Sequence, residues 1–269
     1  MPQRPVDLPD FASPPVHEVA IACHFEPLTD LRQAHIGYFW SKIKDDFPDV
    51  EDHEPRPPYV ERLEDGIQIP AFELELMRAP MPHRAWFVSP DKSALLQLQR
   101  DRFVYNWRSR SDEYPHFELL LDAFLEELKT LCNAFNEINL SEPHLNQAEV
   151  TYVNWIDADA LDLFLAFVDS PSLNAGGVAS DGAFGQISLR FPVMNDSNVV
   201  GHLYTECSPI PALGEQGSGY QMTLTFRAPM LEPHVDVLKP LLLRGRAAIV
   251  HTFAGLTRPS YHEKWGRIQ

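Results

Sequence analysis

The segment 85–108 constrains the fold more than any other part of the chain. It contains an apolar run at 85–88, a turn at 89–92, and two further runs in which apolar and polar side chains alternate. Pro90 fixes φ in the turn, and Asp91 can bond its own backbone. Alternation with a period of two places one set of side chains against a core and the other set in water. The segment therefore predicts three antiparallel strands with one buried face.

The wet face of this meander carries the candidate binding residues. Tyr105 and Trp107 belong to the alternating set that we assign to the core. The polar set on the other side is Gln97, Gln99, Arg102, Asn106 and Arg108. Arginine beside amide side chains on a rigid sheet suits the recognition of carboxylate, phosphate or peptide backbone. We therefore expect this set to bind a ligand or partner, and the alternative is an ordinary solvated face with cross-strand pairs.

The segment after the meander is the clearest helix in the sequence. Pro115 opens it, and apolar residues recur at steps of three and four from Phe117 to Phe135. Acidic residues fill the opposite side. This pattern predicts a long amphipathic helix whose apolar stripe covers the buried face of the meander.

The remaining elements repeat the same order in two halves, 1–140 and 141–269. Residues 1–15 are expected to be an extended arm, and 49–70 a loop. The other predicted elements are strands at 17–25, 72–76, 148–156, 185–193, 199–208 and 220–227, and helices at 31–47, 157–167 and 235–256. The pattern predicts an α+β fold: a duplicated strand-helix-strands-helix unit, with a mostly antiparallel curved sheet and long helices on one face. The two halves should pack as one pseudo-symmetric domain.

This order of elements is similar to that of the TATA-box-binding-like fold. The similarity concerns element order alone, and a shared fold does not transfer a function.

Composition limits the classes of partner. The chain has 269 residues, of which 44% are hydrophobic, so it can bury a substantial core. Its net charge of −16 argues against duplex nucleic acid and against an anionic membrane. Three cysteines stand far apart, and neither an export signal nor a long apolar run is present, so we expect a cytoplasmic protein.

The motifs of common catalytic and metal sites are missing from the sequence. It contains no GxxxxGK loop, no GxSxG elbow and no HExxH pair, and its histidines are scattered singly. We therefore assign no catalytic, cofactor-binding or metal-binding residue. An enzyme whose site is assembled from scattered polar residues between the two halves stays open as the alternative.

Several stretches resemble a sporadically distributed, uncharacterised bacterial family. The resemblance rests on HEVAIACHFEPL, LLQLQRDRFVYNWR, AEVTYVNWI and the closing WGR, and it extends over nearly the whole chain. The family implies no activity, cofactor or catalytic residue. Its patchy occurrence implies an accessory gene, such as one for defence or a toxin–antitoxin pair.

Charge is distributed unevenly along the chain. Acidic residues dominate 112–169, where Lys129 is the one basic residue, whereas basic residues dominate 84–110. An acidic helix surface suggests a basic protein partner, or simply solubility. We therefore expect a non-enzymatic binding or regulatory protein, and the sequence leaves homo-oligomerisation open.

Overall fold

The computed structural model of the chain describes residues 8–63, 83–110, 114–157, 186–210 and 219–268. Within these ranges the chain forms nine strands and four helices. They are β1 Val16–Phe25, α1 Gln33–Ile43, β2 Asp49–His53, β3 Arg84–Val88, β4 Ala94–Gln99, β5 Arg102–Arg108, α2 Phe117–Glu137, β6 Leu145–Asp157, β7 Ile187–Asn195, β8 Asn198–Ile210, β9 Gly219–Pro229, α3 Val235–Leu256 and α4 Pro259–Lys264. The expected strand 72–76 and the expected helix after residue 157 lie outside the described residues.

All nine strands belong to one antiparallel sheet. Their order is β2-β3-β4-β5-β1-β6-β9-β8-β7, so the central pair joins the first strand of each half of the chain. Outward from this pair, the sheet continues beyond β1 with β5, β4 and β3. Beyond β6 it continues with β9, β8 and β7. The predicted α+β class and the mostly antiparallel sheet are confirmed.

The meander forms where its sequence predicted it. Lys92 takes a positive φ of 61° in the first turn. A carboxylate oxygen of Asp91 accepts hydrogen bonds from the Ser89 hydroxyl at 2.7 Å and from the Ser93 N–H at 3.0 Å. These bonds hold the pKa of Asp91 down at about 2, because they stabilise the charged carboxylate.

The core lies between the helices and one set of alternating strand side chains. Phe103 of β5 stacks on Phe124 of α2, and Phe39 of α1 meets Phe103 edge-on. Helix α3 approaches β9 so closely that a Cβ at Gly245 would stand 2.2 Å from the ring of Phe226. Tyr105 and Trp107 belong to the core, as predicted. We call this side of the sheet the core face and the opposite side the polar face.

The N-terminal arm and the C-terminal tail pack together at one end of the core. The backbones of Phe11 and Arg267 form a bridge, and the ring of Phe11 meets Phe253 and Trp265 edge-on. Among the described residues, no helix is long and apolar enough to cross a membrane.

Two predicted boundaries are wrong. The expected loop 49–70 begins with β2, which pairs with β3 although four of its five residues are exposed. The ladder to β3 supplies the backbone hydrogen bonds that such an acidic sequence would otherwise make with water. The expected helix 31–47 is shorter, since α1 spans Gln33–Ile43, although Leu31 and Phe47 on either side of it are buried.

Candidate functional site

The five predicted site residues lie on the polar face of the first half of the sheet. The register of β4 and β5 puts Gln99 opposite Arg102, and the register of β1 and β5 puts Arg102 opposite His24. The prediction that these side chains are solvated is wrong for the three amides, because Gln97, Gln99 and Asn106 are buried. Arg102 and Arg108 keep partial exposure.

A segment of the chain lies across this face and buries part of it. Residues 54–63, which we call the strap, follow β2. The Gln99 side chain accepts from the Arg56 N–H at 2.8 Å and donates to the Arg56 carbonyl at 2.7 Å, as a neighbouring strand would do. The Arg102 guanidinium donates to the Pro57 carbonyl at 2.7 Å. Gln99 and Arg102 therefore hold the strap in place.

The strap continues across the sheet to the second half. The Glu61 N–H donates to the side chain of Gln147 on β6 at 2.6 Å. The Glu61 carboxylate is fully buried and accepts from the Tyr204 hydroxyl at 3.0 Å. His202 lies 2.9 Å from the same carboxylate through its Nδ1, and its Nε2 lies 2.9 Å from Arg190. These neighbours match the tautomer in which Nδ1 carries the proton.

A second ion pair lies beside Glu61 on the same face. Arg227 of β9 donates from its Nε to the carboxylate of Glu149 on β6 at 2.7 Å. Its guanidinium also lies over the rings of Tyr59 and Tyr204, at 4.7 and 5.3 Å from their centroids. Burial alone would raise the pKa of Glu149, but the charge of Arg227 and the contact with His24 outweigh it, and the pKa is lowered. Glu149 therefore stays charged and bound.

The two ion pairs and the strap form one connected cluster, which we call the strap network. Its members come from both halves of the chain and are paired with one another at hydrogen-bonding distance. They are His24, Tyr59, Glu61, Glu149, Arg190, His202, Tyr204 and Arg227. A network satisfied in this way fixes a structure, because removing one member leaves a buried charge or dipole unpaired.

A different arrangement lies at the first-half end of the polar face. The indole of Trp86 on β3 has the guanidinium of Arg84 at 5.3 Å and that of Arg108 at 5.1 Å from its centroid. We call these three residues the arginine–tryptophan patch. Beside it, Gln97 donates to the Asn106 side chain at 2.7 Å, and Asn106 donates to Glu18. Arg108 and Trp86 remain partly exposed.

The sequence did not reveal several of these residues. Tyr59 and Glu61 belong to the stretch that we expected to be a loop, and nothing in their spacing indicates a contact with β8. Arg227 lies in the interior of the sheet, because β9 lies between β6 and β8. In β6 the structure places Glu149 on the polar face and Val150 in the core.

The cysteines are poor nucleophiles in this fold. Burial raises the pKa of Cys132 to about 11 and that of Cys207 to about 12, so both are thiols near neutral pH. Across the described residues, no group of three or more histidine, cysteine or carboxylate side chains is arranged to hold a metal ion.

Comparisons with known proteins give no family for this chain. No protein-family model matches the sequence, and no curated protein matches it.

Proposed function

We propose that this chain is a non-enzymatic binding or regulatory protein that holds a protein partner on the polar face. One observation carries this proposal. Strap-network side chains are paired with one another, whereas Arg108 and Trp86 of the arginine–tryptophan patch are partly exposed beside them. Trp and Arg are the residue types that contribute most to protein interfaces. The patch is therefore the better part of the polar face for docking.

The partner should present acidic side chains. Two guanidinium groups flank one indole, and this arrangement attracts a carboxylate while offering an apolar surface beside it. The Gln97–Asn106 pair lies next to the patch, is buried, and accepts a hydrogen bond from Arg84 through Gln97. Of the five residues predicted from the sequence, Arg108 fits the docking role, Gln97 and Asn106 lie buried beside it, and Gln99 and Arg102 hold the strap.

Single substitutions separate docking from strap binding. Immobilised wild-type protein and an Arg108→Ala variant are used to capture proteins from the native host, and the captured amounts are quantified by mass spectrometry. We expect Arg108→Ala to lose one partner by at least about tenfold, since a desolvated arginine contact at an interface is worth 2 kcal/mol or more. Lys129→Ala, which removes an exposed charge on α2, serves as the control.

The opposite outcome points to another surface. If Arg108→Ala captures the partner normally and reversal of Asp122 and Glu126 abolishes capture, the acidic surface of α2 is the docking site. Arg102→Ala should release the strap and lower stability, because its guanidinium bonds Pro57. A loss of capture in that variant alone would therefore report on folding of the strap.

A second candidate function is an enzyme whose site lies between the two halves. The observation in its favour is that an imidazole and a phenol of the second half, those of His202 and Tyr204, each lie within 3.0 Å of the Glu61 carboxylate of the first half. Such groups can act as general acids and bases. Wild-type protein and Glu61→Gln would be compared on ester, amide and phosphoester substrates. Turnover by the wild type that Glu61→Gln abolishes would favour the enzyme over the binding protein.

We also propose the finer features that the sequence suggested. The mirrored strand order about β1 and β6 supports a duplicated strand-helix-strands-helix unit with TATA-box-binding-like element order. We also propose that the protein is cytoplasmic and that it does not bind duplex nucleic acid. Its proposed setting is bacterial defence or a toxin–antitoxin pair. Identification of the captured partner would test the biological setting. Light scattering of the purified protein would test the oligomeric state.

A further inference from the structure

A cavity lies between the N-terminal arm, the end of β6 and helix α3, on the core face of the sheet. Its volume is about 280 Å³. Most of its lining is apolar and includes Phe11, Ile249 and Phe253. The polar lining residues are Asp10, Tyr114, His116, Tyr152, Asn154 and Arg246. An apolar pocket with a few convergent polar groups is the usual form of a small-molecule site.

Arg246 is the unusual member of this lining. It is 3% exposed, and within the described residues neither its Nε nor its Nη1 has a hydrogen-bond partner. The nearest charge is the Glu118 carboxylate, whose Oε1 lies 3.6 Å from Nη1, too far for a hydrogen bond. A buried guanidinium can donate but cannot accept, so a molecule in the cavity has to offer an acceptor oxygen.

The two tyrosines add a further donor. The hydroxyl groups of Tyr114 and Tyr152 lie 2.9 Å apart. Burial raises the pKa of both, so both are neutral phenols. Whichever hydroxyl accepts in this pair still has its own proton to donate. The polar part of the cavity thus offers donors to a ligand.

The charges around the cavity disfavour an anion. Glu118 already neutralises Arg246 from behind, and the carboxylate of Asp10 is a second negative charge in the lining. His116 at the start of α2 is exposed. A ligand carboxylate would therefore meet two negative groups and one positive group.

We propose that this cavity is a binding site for a small, uncharged, mainly apolar molecule that carries one carbonyl-type acceptor oxygen. The oxygen takes the N–H groups of Arg246, and the apolar body packs between Phe11, Ile249 and Phe253. The volume equals that of roughly nine water molecules at about 30 Å³ each, so a ligand of about ten heavy atoms fits. This site is separate from the partner surface on the polar face and does not depend on it.

Three matched probes test the chemistry of the site. Acetophenone has a ring and a ketone, ethylbenzene lacks the oxygen, and benzoate replaces the ketone with a carboxylate. Binding to the full chain is measured at pH 8 by isothermal titration and by saturation-transfer NMR. We expect acetophenone to bind at least about tenfold more tightly than ethylbenzene, because it satisfies a buried charged donor. Benzoate should bind more weakly than acetophenone. Equal affinity for the three probes, or no binding by any of them, overturns the proposal.

Substitutions in α3 locate the binding to this cavity. Val250→Phe fills part of the space and should abolish the binding of acetophenone. His251→Phe adds a comparable ring at the next position, which is exposed and outside the lining, and should leave binding unchanged. If both variants bind acetophenone equally, the probe binds elsewhere and the proposal fails.

Glu118→Gln tests the charge argument. It removes the negative charge that neutralises Arg246 from 3.6 Å, so the guanidinium charge becomes available to a ligand anion, and the ratio of benzoate to acetophenone affinity should rise by at least about tenfold. The double variant Arg246→Met, Glu118→Gln leaves no unpaired charge, and it should lose most of the preference for acetophenone over ethylbenzene, with any remainder due to the tyrosine hydroxyl groups. An unchanged benzoate ratio in the single variant, or an undiminished ketone preference in the double variant, contradicts the proposed role of Arg246.

Discussion

Two arginines on opposite faces of one sheet, the half-buried Arg227 and the buried Arg246, have different surroundings. Arg227 on the polar face donates to Glu149 at 2.7 Å and lies over two tyrosine rings. Arg246 on the core side lies 3.6 Å from Glu118 and leaves two nitrogen atoms without hydrogen bonds within the described part of the chain. Arg227 makes a close hydrogen-bonded ion pair, whereas Arg246 bonds the Tyr152 side chain but keeps two buried nitrogen atoms that no described group bonds.

This difference separates a residue with a structural role from a residue that belongs to a binding site. A buried donor without an acceptor costs about 1–3 kcal/mol, so a fold that keeps one carries a cost that a bound molecule could remove. The Arg227–Glu149 pair of the strap network avoids this cost, because the two side chains are hydrogen-bonded to each other. We therefore assign a structural role to the strap network and a binding role to the cavity around Arg246.

The largest effect is expected at Glu61, where the strap joins the second half of the sheet. Glu61→Ala removes a fully buried carboxylate and leaves His202, Tyr204 and Arg190 without it. We expect the free energy of unfolding to fall by about 3–5 kcal/mol, the usual cost of breaking a buried charge network. Urea denaturation measures this change.

Glu61→Gln is the matched control for shape. It keeps an acceptor oxygen for Tyr204 and should cost less than the alanine variant. Hydrogen exchange at residues 54–63 should rise in Glu61→Ala, since the strap loses its anchor. Normal stability together with slow exchange there would show that the strap is held by other contacts.

The same substitution at the two arginines tests the comparison directly. Arg227→Met leaves the Glu149 carboxylate without its 2.7 Å partner and should lower the free energy of unfolding by about 3 kcal/mol. Arg246→Met removes one hydrogen bond, to the Tyr152 side chain, and a counter-charge that lies 3.6 Å from Glu118 without bonding it, so it should cost less, about 1 kcal/mol. Equal losses in the two variants would remove the distinction between the faces.

Lowering the pH should reveal the same difference between Arg227 and Arg246. The pKa of Glu149 is lowered in the folded protein, so the stability that it contributes is present above its ordinary pKa and is lost as the pH falls toward the lowered value. Arg227→Met should abolish this part of the acid dependence, and Arg246→Met should retain it.

Periodicity explains which parts of the fold could be predicted. In β5 the alternation of Phe103, Tyr105 and Trp107 with polar neighbours fixes the buried face, because a strand has only two faces. In α2 the apolar steps of three and four fix the buried stripe in the same way. Both features depend on neighbours along the chain, so the sequence contains the whole signal.

The strap network could not be predicted in this way. Glu61 and His202 are far apart in sequence and meet only because the strap crosses the sheet. Periodicity says nothing about such a crossing, and 49–70 reads as a loop because prolines and acids interrupt every repeat. The sequence does contain a signal for Arg246. This residue occupies the apolar stripe formed by Leu238, Leu242 and Ile249, where a charged side chain is unusual.

Glu127 on α2 is half-buried and forms no ion pair with any described residue. Its Oε2 lacks a hydrogen-bond partner among the described residues, and burial, with a further contribution from Asp46, raises its pKa to about 7. The folded state therefore holds a proton that the unfolded state releases between about pH 4.5 and 7, and stability falls as the pH rises through this window.

Glu127→Gln should remove this pH dependence. We expect the variant to gain on the order of 1 kcal/mol above pH 7, a value reduced from the full linkage because the side chain is partly exposed to water. Thermal unfolding at pH 5 and pH 8 measures the change, and Glu126→Gln at the exposed neighbouring position is the control. A gain of equal size in both variants would reflect the acidic surface of α2 as a whole.

The smallest effect is expected at the arginine–tryptophan patch. Arg84 and Arg108 both lie over Trp86, but Arg84 is buried, its pKa is lowered chiefly by burial, and its guanidinium donates to Gln97 at 3.4 Å. Arg108→Ala should lower the free energy of unfolding by about 0.5 kcal/mol, the value of an exposed cation–π contact, and Arg84→Ala by about 1 kcal/mol or more. Urea denaturation followed by tryptophan fluorescence measures both. If Arg108→Ala costs as much as Arg84→Ala, Arg108 is part of the fixed architecture in the manner of Arg227, and the patch is not available to a partner.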